Sequence, residues 1–223
     1  MPPCQIRRYQ DQDWHVVRTI FTEGMMQLSD DHFWHQLKRP RSFLLLLGGP
    51  GALFLGSGSL LLFLLALLGL LAILWLIARY PFSSYADHTL HTDMWDIRAS
   101  YLSDRGSCFW VAASRGQVVG LVCARPAQEV SGRQKHLVLL HLSVRRDHQG
   151  QGIAKTLTQT VLHFAQDKGY NDIVLTTCSW HSSARRLYES LGFGKSHEIP
   201  NAPKWPITAL SLAHYKYALS PSS

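Results

Sequence analysis

Hydrophobic positions follow several rhythms along this chain, and each predicts a different element. Residues 43–78 carry no charged side chain and are dominated by Leu. Residues 5–9 read as a short strand. Trp14, Val17, Ile20 and Phe21 then recur at helical spacing, behind Asp11 or Asp13 as a cap. Residues 109–113 and 118–124 read as a hairpin closing over 114–117. Residues 137–144 form a continuous apolar run, as a buried strand would. A polar turn follows, and then Leu157, Val161, Leu162, Phe164 and Ala165 mark one stripe of a helix that stops at Lys168-Gly169. A further strand is expected over 171–179, a short helix carrying Ala184, Leu187, Tyr188 and Leu191, and a closing strand over 208–219.

The uncharged stretch is too apolar to cover itself in water. A buried helix of a soluble protein would show some polar face, and this one shows none. Its start about forty residues in, without a cleavage context, argues against a signal peptide. Two glycine-rich breaks, 48–51 and 56–59, divide it into a short piece and a longer one. The longer piece, 60–77, would span about 27 Å as a helix, close to one hydrocarbon thickness. Lys38, Arg39 and Arg41 precede the stretch and Arg79 follows it. For a single span, that asymmetry puts the N-terminus in the cytosol and the C-terminal domain in the lumen. A helical hairpin instead leaves both ends cytosolic. If residues 5–9 and the helix after them share a sheet with the C-terminal half, both flanks must lie in one compartment. That requirement favours a shallow or re-entrant hairpin. The domain reading is 1–42 as a first strand and helix, 43–78 as the membrane segment, and 79–223 as the main domain.

Charge and composition narrow the partners. Lys and Arg number 22 against 15 Asp and Glu, for a formal charge of +7. A basic balance suits an anionic partner, but no run of five or six Lys/Arg and no zinc-finger spacing is present, so nucleic acid is disfavoured. Cys4, Cys108, Cys123 and Cys178 form no CxxC pair. His32/His35 and His88/His91 have helical spacing but lack companion ligands. They read as surface or interfacial histidines, and no metal is expected.

The chemistry concentrates after the strand over 137–144. Gln149, Gly150, Gln151, Gly152, Ile153 and Ala154 stand between that strand and a helix. Glycines let a backbone approach a phosphate without a Cβ in the way, and the first amides of a helix are free donors aimed at an anion. The spacing is neither the GxGxxG of dinucleotide folds nor the Gly-Lys-Ser/Thr of a P-loop.

The pattern Gln149-x-x-Gly152-x-Ala154 resembles the acyl-CoA pyrophosphate motif of the GNAT superfamily. Ala184-x-x-Leu187-Tyr188, closed by Gly192-Phe193, resembles that superfamily's second conserved segment. His181 stands where the family often has Asn. Together with the apolar stretch after the first helix, the whole chain resembles the camello-like N-acetyltransferase family, membrane enzymes of the endoplasmic reticulum. The resemblance implies the GNAT acyl-CoA N-acyltransferase fold, a mixed and mostly antiparallel sheet flanked by helices, here interrupted by a hydrophobic membrane segment. It implies acetyl-CoA as co-substrate, bound by the 149–154 turn and by backbone at Leu142, Ser143 and Val144. Tyr188 becomes the candidate general acid. His141 is the candidate base, because imidazole titrates near neutrality. Strand alternation puts its side chain on the opposite face from Leu140 and Leu142, and its rivals for the role are a water chain or another group. Arg145, Arg146, Lys155 and Arg185 are candidate phosphate contacts. The acceptor is expected to be the amine of a small amino-acid derivative such as a cysteine S-conjugate. The alternatives are a protein lysine or, in a different class, a non-catalytic membrane adaptor.

Overall fold

The structure is a computed structural model, and it describes residues 4–127, 135–200 and 210–219. These residues fall into two compact units. One comprises the chain up to Gly24 and again from His88 onward; the other comprises Met25–Asp87.

The first unit is built on a seven-stranded sheet of order β1-β2-β3-β4-β5-β7-β6. Its strands are β1 (Gln5–Arg8), β2 (Cys108–Ser114), β3 (Gln117–Pro126), β4 (His136–Val144), β5 (Asp172–Cys178), β6 (Gly194–Ile199) and β7 (Leu212–Ala218). All neighbours are antiparallel except β4 and β5, which run parallel. The crossover that a parallel pair requires is supplied by the helix Ile153–Asp167. The expected closing strand begins at Leu212 in place of 208, and residues 208 and 209 lie outside the described residues.

The β1 strand enters the sheet through its register with β2, Ile6 opposite Ala112 and Arg8 opposite Trp110. The chain then turns through a short 3-10 segment into α1 (Trp14–Leu37). Asp13 organises that turn, as its carboxylate accepts the Gln10 amide at 2.9 Å and both Arg7 guanidinium nitrogens at 2.6 and 2.8 Å. Hydrophobic burial then sorts the two faces of the sheet. Trp110, Ala112, Val122, Leu137, Leu139, Ile173 and Tyr215 form one core with Leu157, Val161 and Phe164 of the crossover helix and Tyr188. On the other face Phe109 meets Tyr9 and Tyr101 edge-on, with ring centroids 5.4 and 5.7 Å apart. Edge-to-face aromatic pairs of this kind contribute about 0.5–1.5 kcal/mol beyond their area.

The second unit contains α2 (Pro40–Ser57) and the first part of α3 (Leu60–His91). Here the expected break at 48–51 is absent, because α2 runs through Gly48, Gly49, Pro50 and Gly51 without interruption. In a segment this apolar, an opened backbone would leave amides and carbonyls with no partner, so the helix continues at the cost of one bond at Pro50. The chain reverses only at Gly58, whose amide closes on the Phe54 carbonyl at 2.8 Å. The two helices are neighbours: Phe54 and Phe63 meet with centroids 6.2 Å apart, and a Cβ on Gly49 would lie 3.9 Å from Leu70. Of the described helices, α3 is the one long and apolar enough to cross a membrane. The outward side chains of α2 and α3 are mostly leucines; Leu44 and Leu55 of α2 are 74% and 86% exposed. His32, expected at a surface or an interface, is fully buried with its ring 5.6 Å from Phe82.

Candidate active site

The site begins where β4 leaves β5. These strands pair only over His136–Val138 against Asp172–Val174. Among the described residues, β4 continues beyond Val138 to Val144 bound to β3 alone, and β5 continues to Cys178 bound to β7 alone. The two strands therefore present unpaired backbone to a cleft between them. Leu142, Ser143 and Val144 lie on the β4 wall, so their free edge can serve an extended ligand as a strand partner would.

A bulge sits at the same place. While β3 steps from Leu121 to Cys123, β4 steps from Ser143 to Leu140, which inserts one extra residue. His141 adopts φ 54°, a left-handed conformation that costs a non-glycine residue about 1–2 kcal/mol. The bulge shifts the phase of the strand. Leu137 and Leu139 belong to the crossover-helix core, and Leu142 and Val144 rejoin it, three and five residues after Leu139. Strict alternation through His141, which the sequence suggests, is thus broken. The His141 side chain lies against α1, with its ring 5.0 Å from Phe21. Ser143 is buried on the same side, where α1 passes so close that a Cβ on Gly24 would stand 3.1 Å from the Ser143 hydroxyl.

His141 Nε2 lies 2.9 Å from Asp93 Oδ2. Tyr101 donates its hydroxyl to the same carboxylate oxygen. Burial raises the Asp93 carboxyl, but the hydrogen bond and charge of His141 and the hydrogen bond of Tyr101 outweigh it and hold the group down at about 2. Sequence reading does not find Asp93 or Tyr101. They stand 48 and 40 positions from His141, in the turn after α3 and in the short α4 (Ile97–Tyr101), and no local motif marks them.

The glycine-rich turn lies at the far end of β4. Gly150 and Gly152 have φ of 74° and 82°, and Gly152 is the N-cap of α5 (Ile153–Asp167) with no side chain capping the helix. A Cβ at either glycine would meet no atom within 4 Å, so open space faces the turn. Gln149 ties the turn to the strand by donating its amide to the Val144 carbonyl at 2.9 Å, and Gln151 reaches the Asp147 carbonyl at 3.4 Å. Ile153 is buried and anchors the first turn of α5 in the core; Ala154 beside it is half-buried. Bare first-turn amides, room for an anion and left-handed backbone together fit a pyrophosphate. Arg146 and Lys155 are exposed beside this opening. Arg145 is paired with Asp147 at 3.0 Å. Arg185 is held by the Tyr215 hydroxyl and the Ser179 carbonyl, each at 3.2 Å, which ties it to the fold.

Tyr188 comes from α6 (Ser182–Ser190), which ends at Leu191 and turns through Gly192 into Phe193. The ring is buried between Phe193 and Tyr215, at 5.7 and 6.1 Å. Burial pushes its phenol well above the usual range. Among the described residues no three His, Cys, Asp or Glu side chains gather as a metal site.

Known proteins agree with this architecture. Residues 70–193 match the acetyltransferase (GNAT) family. The chain is 47% identical to human N-acetyltransferase 8 over 223 residues, 100% of this chain and 98% of that one. It is 50% identical to human N-acetyltransferase 8B over 196 residues, 88% of this chain and 86% of that one. Among solved structures, a Salmonella typhimurium acetyltransferase with its cofactor acetyl-CoA superimposes with a TM-score of 0.58 at 15% identity, covering 99% of this chain and 96% of its own. The ribosomal-protein-alanine N-acetyltransferase of Brucella melitensis gives 0.57 at 14% identity, covering 96% of this chain and 99% of its own. At such identities the structures speak for the fold, and the closer relatives for the family. The chain belongs to the acetyltransferase (GNAT) family, in its N-acetyltransferase 8 (camello-like) branch, and is an acetyl-CoA-using N-acetyltransferase.

Proposed function

We propose that this enzyme acetylates the amine of a small amino-acid derivative, a cysteine S-conjugate being the leading acceptor, at a membrane of the endoplasmic reticulum with its active site in the cytosol. The observation that carries the catalytic reading is the split between β4 and β5, flanked by the uncapped α5 on one side and by His141 and Tyr188 as titratable side chains. In this reading the backbone of 142–144 holds the thioester arm, and the 149–154 turn holds the pyrophosphate. His141 takes the surplus proton of the acceptor ammonium and passes it to water. The neutral amine attacks the thioester carbonyl, the N–C bond forms and the C–S bond breaks. Tyr188 protonates the departing sulfur and recovers the proton that the new amide nitrogen sheds. Amine and thioester become amide and thiol, with no other reactant.

Two observations support the membrane reading. The apolar stretch 43–78 forms α2 and the start of α3 with leucines facing outward, and lipid is the solvent in which that surface is stable. Both flanks of the stretch supply strands to one sheet, which favours a hairpin that returns to the side it left. The single-span arrangement with a lumenal domain is the competing topology.

A panel of S-benzyl-cysteine, aspartate and a lysine peptide, offered to the purified full-length chain with acetyl-CoA, tests the acceptor. Preference for S-benzyl-cysteine is expected. Turnover confined to the peptide would make the enzyme a protein lysine acetyltransferase, and acetyl-CoA binding without any turnover would return it to the adaptor class.

A further inference from the structure

We infer that the open end of the apolar hairpin is a binding surface for anionic phospholipid, formed by Lys38, Arg39, Arg41 and Arg79 with exposed aromatic rings beside them. It rests on the membrane reading above and adds the class of lipid selected.

Residues 32–86 contain four cations, Lys38, Arg39, Arg41 and Arg79, and no Asp or Glu. The hairpin brings them to one level. Its arms touch where Phe54 meets Phe63 and where Gly49 approaches Leu70. Following both arms onward from those contacts places residues 39–41 level with residues 77–79. The 18 residues of α2 span about 27 Å as a helix. That is close to the ~30 Å hydrocarbon core, so an immersed α2 leaves its first residues at the headgroups.

The charge is not balanced from within. Among the described residues none of the four cations is paired with a carboxylate. The nearest acids in the chain, Asp31 and Asp87, lie outside the stretch. Lys38 and Arg41 are exposed, and Arg39 and Arg79 are half-buried. Burial first, and then the charges of Arg39 and Lys38, hold the His35 imidazole below its usual value, a sign of crowded positive charge.

Rings supply the other half of an interfacial surface. The Arg79 guanidinium carbon lies 5.0 Å from the centre of the Trp75 ring, and Trp34 and Tyr80 are exposed. Tryptophan and tyrosine favour the headgroup level, where one end of the ring is dry and the other wet. Arginine meets a phosphate with a planar fork, and lysine meets it as a point charge. A zwitterionic headgroup neutralises its own phosphate and a net negative one does not, so uncompensated cations discriminate between them. Positive charge on both arms also agrees with two flanks on the cytosolic side, where the anionic leaflet lies.

The test uses the full-length chain reconstituted in phosphatidylcholine vesicles. Spin-labelled phosphatidylserine or spin-labelled phosphatidylcholine is added in trace amount, and the motionally restricted share of each gives its relative association with the protein. Wild type should favour phosphatidylserine by at least about fivefold, the worth of one cation at a membrane surface. The preference should shrink at about 1 M salt, where charge is screened beyond ~3 Å. A quadruple variant combining Lys38→Gln, Arg39→Gln, Arg41→Gln and Arg79→Gln should lose it. Lys38→Gln and Arg41→Gln alone, changes of exposed side chains, should each lower it, and they decide the matter if the quadruple variant does not fold. Equal association of the two lipids with wild type overturns the inference. So does a preference that survives in the quadruple variant or, where that variant does not fold, stays unchanged in both single ones, since cations elsewhere then carry it. Alkaline carbonate checks the membrane reading separately. A chain stripped from the vesicles refutes that reading and the lipid surface with it; a chain that stays in them without preferring phosphatidylserine refutes the lipid surface alone.

Discussion

Ile6 pairs with Ala112 in adjacent antiparallel strands, although the whole apolar stretch 43–78 lies between them in the chain. One sheet thus takes strands from before and after that stretch. In sealed microsomes, protease added outside should digest both the segment around residues 5–31 and the C-terminal domain. Protection of the C-terminal domain until detergent is added would establish the single-span topology and refute the hairpin.

The turn at Gly152 is left-handed and opens on empty space, so its backbone can be kept while its charge is changed. Asp is among the residues that tolerate left-handed backbone. Gly152→Asp should fold and should lose acetyl-CoA binding in calorimetry, because a carboxylate then stands where the pyrophosphate is expected. Wild-type affinity in a correctly folded variant would remove the turn from the donor site.

Tyr188→Phe keeps the ring against Phe193 and Tyr215 and removes only the proton donor. Its kcat should fall by about 10²–10⁴-fold, the usual share of a general acid, with little change in acetyl-CoA affinity. Wild-type turnover where the chemical step limits the rate would exclude Tyr188 from the mechanism.

Asp93 also leaves a mark on acid stability. Its carboxyl is held at about 2, below the ordinary value of 3.8. A group depressed in the folded state contributes stability that is complete above its unfolded pKa and is lost as the pH falls through its folded one. The Asp93 contribution should therefore fade between about pH 4 and pH 2. Thermal unfolding of wild type should show that loss, and Asp93→Asn should show a smaller drop across the same window. Parallel curves for the two proteins would contradict the assignment.

Local patterns announced much of this fold. The alternation and turns around the hairpin of β2 and β3, the amphipathic stripe of α5 and the glycine-ended α6 each carry their own signal, and the structure forms each within a residue or two of the expected bounds. Two features were hidden for different reasons. The continuity of α2 through Pro50 depends on what surrounds the helix, and glycine and proline propensities measured in water mislead there. The pairing of His141 with Asp93 depends on a bulge, and a bulge resets strand alternation without leaving a sequence mark. The 149–154 motif was legible because its backbone geometry demands glycine; Asp93 and Tyr101, which the structure joins to the candidate base His141, come from distant segments that only tertiary structure brings together.

Acetyl transfer can be followed on the acetyl group itself. The full-length chain is incubated with acetyl-CoA labelled in the acetyl carbons and with S-benzyl-cysteine, and the products are read by mass spectrometry. Labelled acetyl is expected on the amine nitrogen, with one free CoA thiol for each product and loss of both in Gly152→Asp. No labelled product from the wild-type chain, or equal product from Gly152→Asp, would contradict it.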